Sequence, residues 1–579
     1  MVDGPSRRTV TALTVAVAWP AFLPPLTLLL SWLHVPIPPV AAGGIVVSGL
    51  AMAVLLARAA ARGTDPSARR VDPHVAGAVL LVGAVAVHHL VLTWQRPVLD
   101  WDGLYYHLPA VHGWLRADRV VWIEGTDDVP FVNGYPMALE TMGLLLVRLL
   151  DHGRWLDALN LILWPAGALG LAATARAWGA RRPWPAVAAV SFLAVPAWHL
   201  GSTTAYVDVG LAAATCAFVA VTVWRLRGID HAGVALLWGA AAGLTASVKG
   251  TGLLIAALGV VLLVVDLTRR APDRRPAALR ALTLGVAVLV LVGGLWPARA
   301  LVHAGNPVHP VELRLGAKVL APGTDAHAAA ALSTPADLAD VPAPLHPLAI
   351  WARPFRAVEV YDQAEGLGPV WTLGALPALL VLVLTRRRLE VLGPVALGLA
   401  LLLAQPAPWW SRLTLWMLAL GLPALAAVAS RSRGRISGRL VPAAAVVVLL
   451  AGAITSVGAV RADLARGRTP DGYLDSIEFY FPELAAHPRL DEALAADAIG
   501  RSRWSRQGSL LGGALAQPVG ARAVVRVDDP RDAPSDLRWI LWDVTAAGDP
   551  PPPGVSAWRP VGPPRNGFLL LVRIAAPRR

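Results

Sequence analysis

Residues 75–94 read VAGAVLLVGAVAVHHLVLTW, and residues 95–109 continue QRPVLDWDGLYYHLP. The first stretch carries no Asp, Glu, Lys or Arg and is long enough to cross a bilayer as a helix. The second places two carboxylates, Asp100 and Asp102, at the mouth of that span. Acids at such a depth are costly unless water, a partner or a substrate engages them. The junction therefore predicts a membrane helix that opens onto chemistry at one membrane face.

Working outward, the same apolar signal recurs. Of 579 residues, 56% are hydrophobic and 15% charged, where a soluble chain carries nearer a quarter. Spans are expected near 11–33, 38–57, 74–94, 156–175, 184–200, 207–224, 232–248, 251–268, 280–298, 367–385, 390–405, 411–430 and 440–460. The fold class expected is an all-α polytopic membrane protein of about thirteen transmembrane helices, followed by a small extracytoplasmic α/β domain. The membrane module takes residues 1–460, with outer loops at 95–155 and 299–366, and the C-terminal domain takes 461–579.

Arginines set the orientation. They gather at Arg7-Arg8, Arg58 to Arg70, Arg176 to Arg182, Arg225 to Arg227, Arg269 to Arg280, Arg386 to Arg388 and Arg431 to Arg439. After the first, each group follows every second span, as short cytoplasmic loops do. The formal charge of +13 is thus mostly topology. Its dispersal over separate loops argues against nucleic-acid binding. Parity also makes the apolar segment Tyr135 to Leu150 a helix lying on the outer surface, since a crossing there would put Arg176 to Arg182 outside. The expected localisation is the plasma membrane, multi-pass, with a cytoplasmic N-terminus, an uncleaved first span and an outer C-terminal domain. The sole cysteine, Cys216, lies inside a span and reads as a small buried residue.

In the tail, Ala523 to Val527, Trp539 to Trp542 and Phe568 to Val572 read as strands between helical patches at Leu474–Leu484 and Arg489–Ala498, with Asp549 to Gly554 a proline-rich loop. No P-loop, Rossmann glycine fingerprint or zinc-ligand spacing is present.

Topology brings six polar elements to the outer side. These are Asp100 and Asp102 with His107, the acidic loop Asp118 to Asp128, Asp208 at the start of a span, Lys249 in a Gly/Thr/Ser turn, Arg299 with Gly305-Asn-Pro-Val-His309-Pro310, and Trp409-Trp-Ser-Arg412. Lys249 is notable because Lys318 is the only other lysine among 51 Lys and Arg; a compact ammonium suits a phosphate oxygen. Each element also has a plainer reading: Asp208 or Asp102 as a helix cap, Lys249 as a snorkelling side chain, Trp409-Trp410 as an interfacial belt. Together, acids and cations on one face of a polytopic protein are what transfer from a lipid-phosphate donor needs. A carboxylate takes the acceptor proton, cations neutralise the departing phosphate, and an apolar groove holds the lipid.

These residues resemble a family. Trp101-Asp-Gly-Leu-Tyr-Tyr-His-Leu-Pro109 is similar to the Trp-Asp-x-x-x-Tyr-His-x-Pro form of the first outer loop in bacterial GT-C glycosyltransferases, which use polyprenyl-phosphate sugars. Protein O-mannosyltransferases and the aminoarabinose transferase of lipid A belong among them. Tyr135-Pro136 with Glu140 resembles the "YP…E" stretch, and Tyr206-Val-Asp208 the second acidic position. Gly243 to Thr251 resembles the "GLA…TK" turn, and Gly305 to Pro310 the "GNPxxP" ending. Ser411-Arg412 stands where members carry "RY", with Leu413 in place of the aromatic residue. The order of these motifs over residues 70 to 430 is more specific than any one of them.

The resemblance implies a membrane glycosyltransferase that moves a sugar, with inversion, from a polyprenyl-phosphate donor to an extracytoplasmic glycan, lipid or protein. Asp102 would be the general base, with Asp100 or Asp208 orienting the acceptor. Lys249, Arg299 and Arg412 would meet the phosphate, and Tyr106, His107, Glu140 and His309 would line the substrate site. It implies no obligatory cofactor or metal; members that use lipid diphosphates bind a divalent ion near their acids, which marks Asp100 and Asp102 as the place for one. The rival readings are a transporter or flippase for lipid-linked sugars and a non-catalytic scaffold. Transporters carry repeated halves with broken helices at the midplane, and no half-to-half echo is visible here.

Overall fold

A computed structural model describes residues 5–62, 72–124, 131–151, 153–331, 333–353, 365–431 and 437–465, and in the tail 468–469, 472–473, 476–477, 481–496, 498–502, 523–527, 533, 536–543, 558–561 and 568–573. Asp127 and Asp128 of the acidic loop, Arg69-Arg70, and the loop Asp549 to Gly554 lie outside the described residues, as does part of the patch 474–484.

The chain begins with α1 (Arg7–Trp32), α2 (Pro39–Arg62) and α3 (Pro73–Gln95). Local chemistry fixes the ends of α3. Asp72 accepts the His74 N–H at 3.1 Å ahead of Pro73, a proline start preset for helix. Pro97 pushes Arg96 to extended backbone (φ −106°, ψ 143°) and stops the helix. A π-helical turn, Gly103–His107, then runs into α4 (Leu108–Arg116), followed by α5 (Phe131–Gly134) and α6 (Ala138–Leu150). A 3-10 segment, Gly153–Leu163, feeds α7 (Trp164–Ala177).

Next come α8 (Trp184–Val190), a 3-10 turn Ser191–Ala194, and α9 (Pro196–Ser202), bent by 66° at the break before Pro196. Then follow α10 (Asp208–Leu226), α11 (Ala232–Val248), α12 (Gly250–Arg269), α13 (Arg275–Gly293) and α14 (Leu295–Ala304). The loop beyond holds the hairpin β1 (Leu313–Leu315) and β2 (Lys318–Ala321), then α15 (Ala326–Ala331) and α16 (His346–Trp351). The last apolar helices are α17 (Leu376–Thr385), α18 (Leu389–Ala404), α19 (Leu418–Ala429) and α20 (Ser437–Ala465). A π-helical turn precedes α17 and a 3-10 turn, Ser411–Met417, precedes α19.

Among the described residues, nine helices are long and apolar enough to cross a membrane, and the bent pair α8–α9 adds a tenth. Three shorter apolar helices stand at 232–248, 370–385 and 389–404. Every stretch expected to span is therefore helical. The helices differ in enclosure. The apolar window of α10 is 94% buried, that of α3 and of α20 only 17%, so α10 is the axis and α3 and α20 lie at the rim. α6, expected on the outer surface, is covered by protein: Ala138 to Leu145 are all buried, packed against α1, α2 and α4.

The tail forms a small α/β unit. After the two-residue strands β3 (Arg468–Thr469) and β4 (Gly472–Tyr473) come α21 (Pro482–Ala485) and α22 (Leu490–Leu494). β5 (Ala498–Ser502), β6 (Ala523–Val527), β7 (Trp539–Asp543), β8 (Trp558–Pro560) and β9 (Phe568–Arg573) make one sheet in the order β6-β5-β7-β9-β8. β5 is parallel to both β6 and β7, and β9 is antiparallel to β7 and β8. The last apolar helix continues past residue 460 to Ala465, and there Asp463 pairs with Arg96 at 2.5 Å. Ser476 donates to the Val98 carbonyl at 2.7 Å. The tail is thus tied to the segment that leads into Asp100.

Candidate active site

Asp100 is 2% exposed. Its two oxygens accept backbone N–H groups, from Gly103 at 2.7 Å and from Ala205 at 3.2 Å. The carboxylate folds back on its own chain because residue 103 is glycine; a Cβ there would stand 2.5 Å from Asp100 Oδ1. Burial raises the Asp100 carboxyl above the ordinary range, against the pull of those two donors and of His107. Its structural effect is to pin the loop before α10 onto the loop after α3.

That pin brings the acids of two distant segments together. Asp102 Oδ2 lies 2.9 Å from Arg412 Nη1, and the same nitrogen is 3.3 Å from Asp208 Oδ2. Asp208 Oδ1 is in turn 2.6 Å from Lys249 Nζ. Four charges alternate as acid, base, acid, base, from four separate elements. Lys249 owes its place to a tight junction. It is extended between α11 and α12 (φ −158°, ψ 156°), its carbonyl takes the Gly252 N–H at 2.8 Å, and a Cβ on Gly252 would overlap the Thr245 carbonyl. Arg412 also lies over the Tyr206 ring, 4.1 Å from its centroid, and 5.7 Å from that of Trp410, contacts that orient a guanidinium. Trp409 turns away into a small apolar cluster with Leu338 and Ile350.

Beside this row, His107 Nδ1 meets Glu140 Oε1 at 2.5 Å, both side chains being buried. The π-helical turn carries Tyr106 and His107 together, with ring centroids 4.0 Å apart; such turns are frequent at functional sites. Burial, and next the Asp102 charge, push the Tyr106 and Tyr135 hydroxyls up, so both remain neutral donors. The Tyr106 hydroxyl reaches Asp102 Oδ2 at 3.5 Å.

Arg299 and His309 occupy a different place. The Arg299 guanidinium donates to the Asn133 carbonyl (3.0 Å), the Val121 carbonyl (2.7 Å) and Asn133 Oδ1 (3.3 Å), and lies 5.0 Å from the Trp122 ring centroid. Burial lowers its pKa to about 10. His309 packs 5.8 Å from Trp122, and Gly134 lies against Pro310. Asn306 ties the same turn to the Val311 and Pro322 carbonyls. Arg299 thus ties Val121 to Asn133 of α5, and Tyr135 beyond α5 lies 6.1 Å from Tyr106 between centroids.

Two contributors escaped the sequence reading. Asn160 donates to the carbonyls of Gly201 (3.0 Å), Thr204 (3.2 Å) and Tyr206 (2.6 Å) and accepts the Gly210 N–H at 2.7 Å, shaping the loop that carries Asp208. Asp157 lies beside Asp100, a buried carboxyl against a buried carboxyl. Their signal was two polar residues three apart, hence on one helical face, in an otherwise apolar run. Among the described residues no three His, Cys, Asp or Glu side chains gather as a metal centre. With both Asp100 oxygens engaged by N–H groups, Asp102 is the carboxylate left to face an ion there.

Beyond the row of charges, α10, α12, α18 and α19 line a narrow, partly open apolar pocket with Phe218, Leu258, Leu262, Leu401 and Leu420, and Trp416 of the preceding turn. Its first lining residues, Thr215 and Ile255, lie about two helical turns along α10 and α12 from Asp208 and Lys249.

No protein-family profile matches the sequence, and no curated protein does. Among solved structures, two of ArnT from Cupriavidus metallidurans are similar, one described as bound to undecaprenyl phosphate and one in the apo state. They share 17% and 16% identity with this chain, cover 87% of it and 99% of their own length, and have TM-scores of 0.48.

Proposed function

We propose that this protein is a membrane glycosyltransferase of GT-C type that takes a sugar from a polyprenyl-phosphate donor. The observation that carries the reading is one juxtaposition. Lys249 at the start of α12 and Arg412 in the turn before α19, paired with Asp208 and Asp102, stand at one end of the helices that line the apolar pocket. A phosphate headed by a sugar and trailed by a hydrocarbon fits that order of polarity.

In this reading the donor phosphate competes with the carboxylates for the two cations. Arg412 presents a planar fork and Lys249 a point charge, complementary ways to hold phosphate. Drawing Arg412 toward phosphate releases Asp102, which takes the proton of the acceptor hydroxyl. The acceptor oxygen bonds to the anomeric carbon, the carbon–phosphate oxygen bond breaks, and the polyprenyl phosphate leaves, with inversion. Lys249 and Arg412 offset the charge that grows on the leaving oxygen, so no metal is needed in this scheme. Asp208 and His107 orient the acceptor, a cell-envelope glycan, lipid or protein, and Arg299 holds the loop.

The site would face outward across the plasma membrane, with a cytoplasmic N-terminus and an external tail. Reporter fusions at Arg270 and after Ala465 should read inside and outside. The deciding experiment is transfer of labelled sugar from polyprenyl-phosphate sugar by purified protein in nanodiscs. Movement of lipid-linked sugar between leaflets of proteoliposomes, without any transfer, would instead favour the flippase reading.

A further inference from the structure

His89 of α3 and His199 of α9 are both buried and meet through their ring nitrogens, His89 Nε2 to His199 Nδ1 at 2.9 Å. The ring centroids are 5.0 Å apart, so the rings point nitrogen to nitrogen instead of stacking. The outer nitrogens each face a backbone carbonyl. His89 Nδ1 is 3.0 Å from the Val85 oxygen, and His199 Nε2 is 2.6 Å from the Leu193 oxygen.

Counting protons makes the arrangement informative. A carbonyl only accepts, so each outer nitrogen must carry a hydrogen. A neutral imidazole has one N–H, and in each ring that hydrogen is spent on a carbonyl. The two inner nitrogens would then face each other with lone pairs and no hydrogen between them. Three contacts require three protons, and two neutral rings supply two.

We propose that His89 and His199 form a proton-binding site inside the helical bundle, holding three ring protons and one positive charge between them. The third proton sits between the inner nitrogens and completes the chain from Val85 to Leu193. Burying a cation is costly, and two features of the surroundings offset that cost. Trp164 of α7 lies 5.3 Å from His89, centroid to centroid, within the range of ring–cation attraction, and 6.2 Å from His199. The negative ends of two carbonyls close the row. A titratable neighbour, His88 of the same helix, lies 5.7 Å from His89, centroid to centroid. The Trp164 ring of α7 and the Leu193 carbonyl of the Ser191–Ala194 turn are in contact with the pair.

The site joins two elements that the proposed chemistry depends on. α3 leads into Asp100 and Asp102, and α9 leads into the loop before Asp208. A bound proton completes the brace between them. Its loss leaves either two lone pairs opposed or one carbonyl without its donor, and a buried polar group so stranded is costly. The inference stands on the hydrogen-bond count and does not require the glycosyltransferase reading.

The test is a count of ring protons by nitrogen-15 NMR on the full chain, histidine-labelled, in nanodiscs at about pH 7, where an unperturbed imidazole is mostly neutral. His89 and His199 should together show three protonated ring nitrogens and a coupling across the inner pair. His199→Gln supplies an amide donor without charge, so His89 should revert to a neutral ring protonated at Nδ1. His88→Gln should leave the three-proton signature intact. The wild-type count decides the matter even if His199→Gln does not fold. One proton on each ring, persisting down to about pH 5, would overturn the proposal. So would a signature that a chelator abolishes, which would mean a bound metal ion in place of the proton.

Discussion

Two arginines with little exposure, Arg412 in the turn before α19 and Arg299 in α14, look interchangeable in the sequence and do opposite things. Arg412 is shared between carboxylates of two separate segments, Asp102 and Asp208. Arg299 meets no carboxylate among the described residues; its donors go to the carbonyls of Val121 and Asn133, and its face to Trp122. Carbonyls fixed in the backbone cannot leave, so the Arg299 bonds are a fastening. Carboxylates can give up a cation to a stronger anion, so the Arg412 bonds are exchangeable. A buried cation is therefore to be judged by what it is paired with, since desolvation alone is costly for both.

The largest effect is expected at the exchangeable end. Asp102→Asn keeps the size of the side chain and removes the proposed proton acceptor, so turnover should fall about a hundredfold or more, with donor binding retained. Wild-type turnover in that variant, with loss in Asp208→Asn, would move the base to the other acid paired with Arg412.

Next comes Lys249→Ala. A charge-assisted contact to phosphate is worth roughly 1.5–3 kcal/mol, so donor affinity or turnover should drop about ten- to a hundredfold. Lys249→Arg should restore little, because a planar fork does not replace a compact ammonium in the Gly252 turn. Lys318→Ala, in the exposed strand β2, is the control. Equal effects at both lysines would strip the row of charges of its donor role.

Arg299→Leu sharpens the contrast from the other side. It strands the Val121 and Asn133 carbonyls, at a cost on the order of 3 kcal/mol, read as a lower melting temperature. Turnover per folded molecule should stay within a few-fold. If donor affinity instead falls as far as in Lys249→Ala at an unchanged melting temperature, the fastening is part of the donor site and the contrast fails. The smallest effect expected is that of a chelator such as EDTA, which should leave turnover unchanged, since in the proposed scheme two protein cations take the place of an ion. A strict need for added divalent metal would return Asp100 and Asp102 to the role of ligands.

The sequence by itself determined the class of the molecule and its inventory. Uncharged apolar runs ended by features such as Asp72-Pro73 and Arg96-Pro97 set the helices, because periodicity and backbone sterics act within a few residues. It also flagged Asp102, Asp208, Lys249 and Arg412, because charges at the ends of apolar spans are conspicuous. Only the tertiary structure decided who meets whom. Asp102 and Arg412 are 310 residues apart in the chain, and no local rule assigns Arg412 to the acids and Arg299 to the backbone. The same holds for α6, whose apolar face reads as membrane-surface helix until α1, α2 and α4 cover it, and for Asn160, whose four backbone partners lie some forty to fifty residues away. His89 and His199 make the point most plainly. Each is an unremarkable histidine in an apolar helix, and the missing proton exists only as a relation between them.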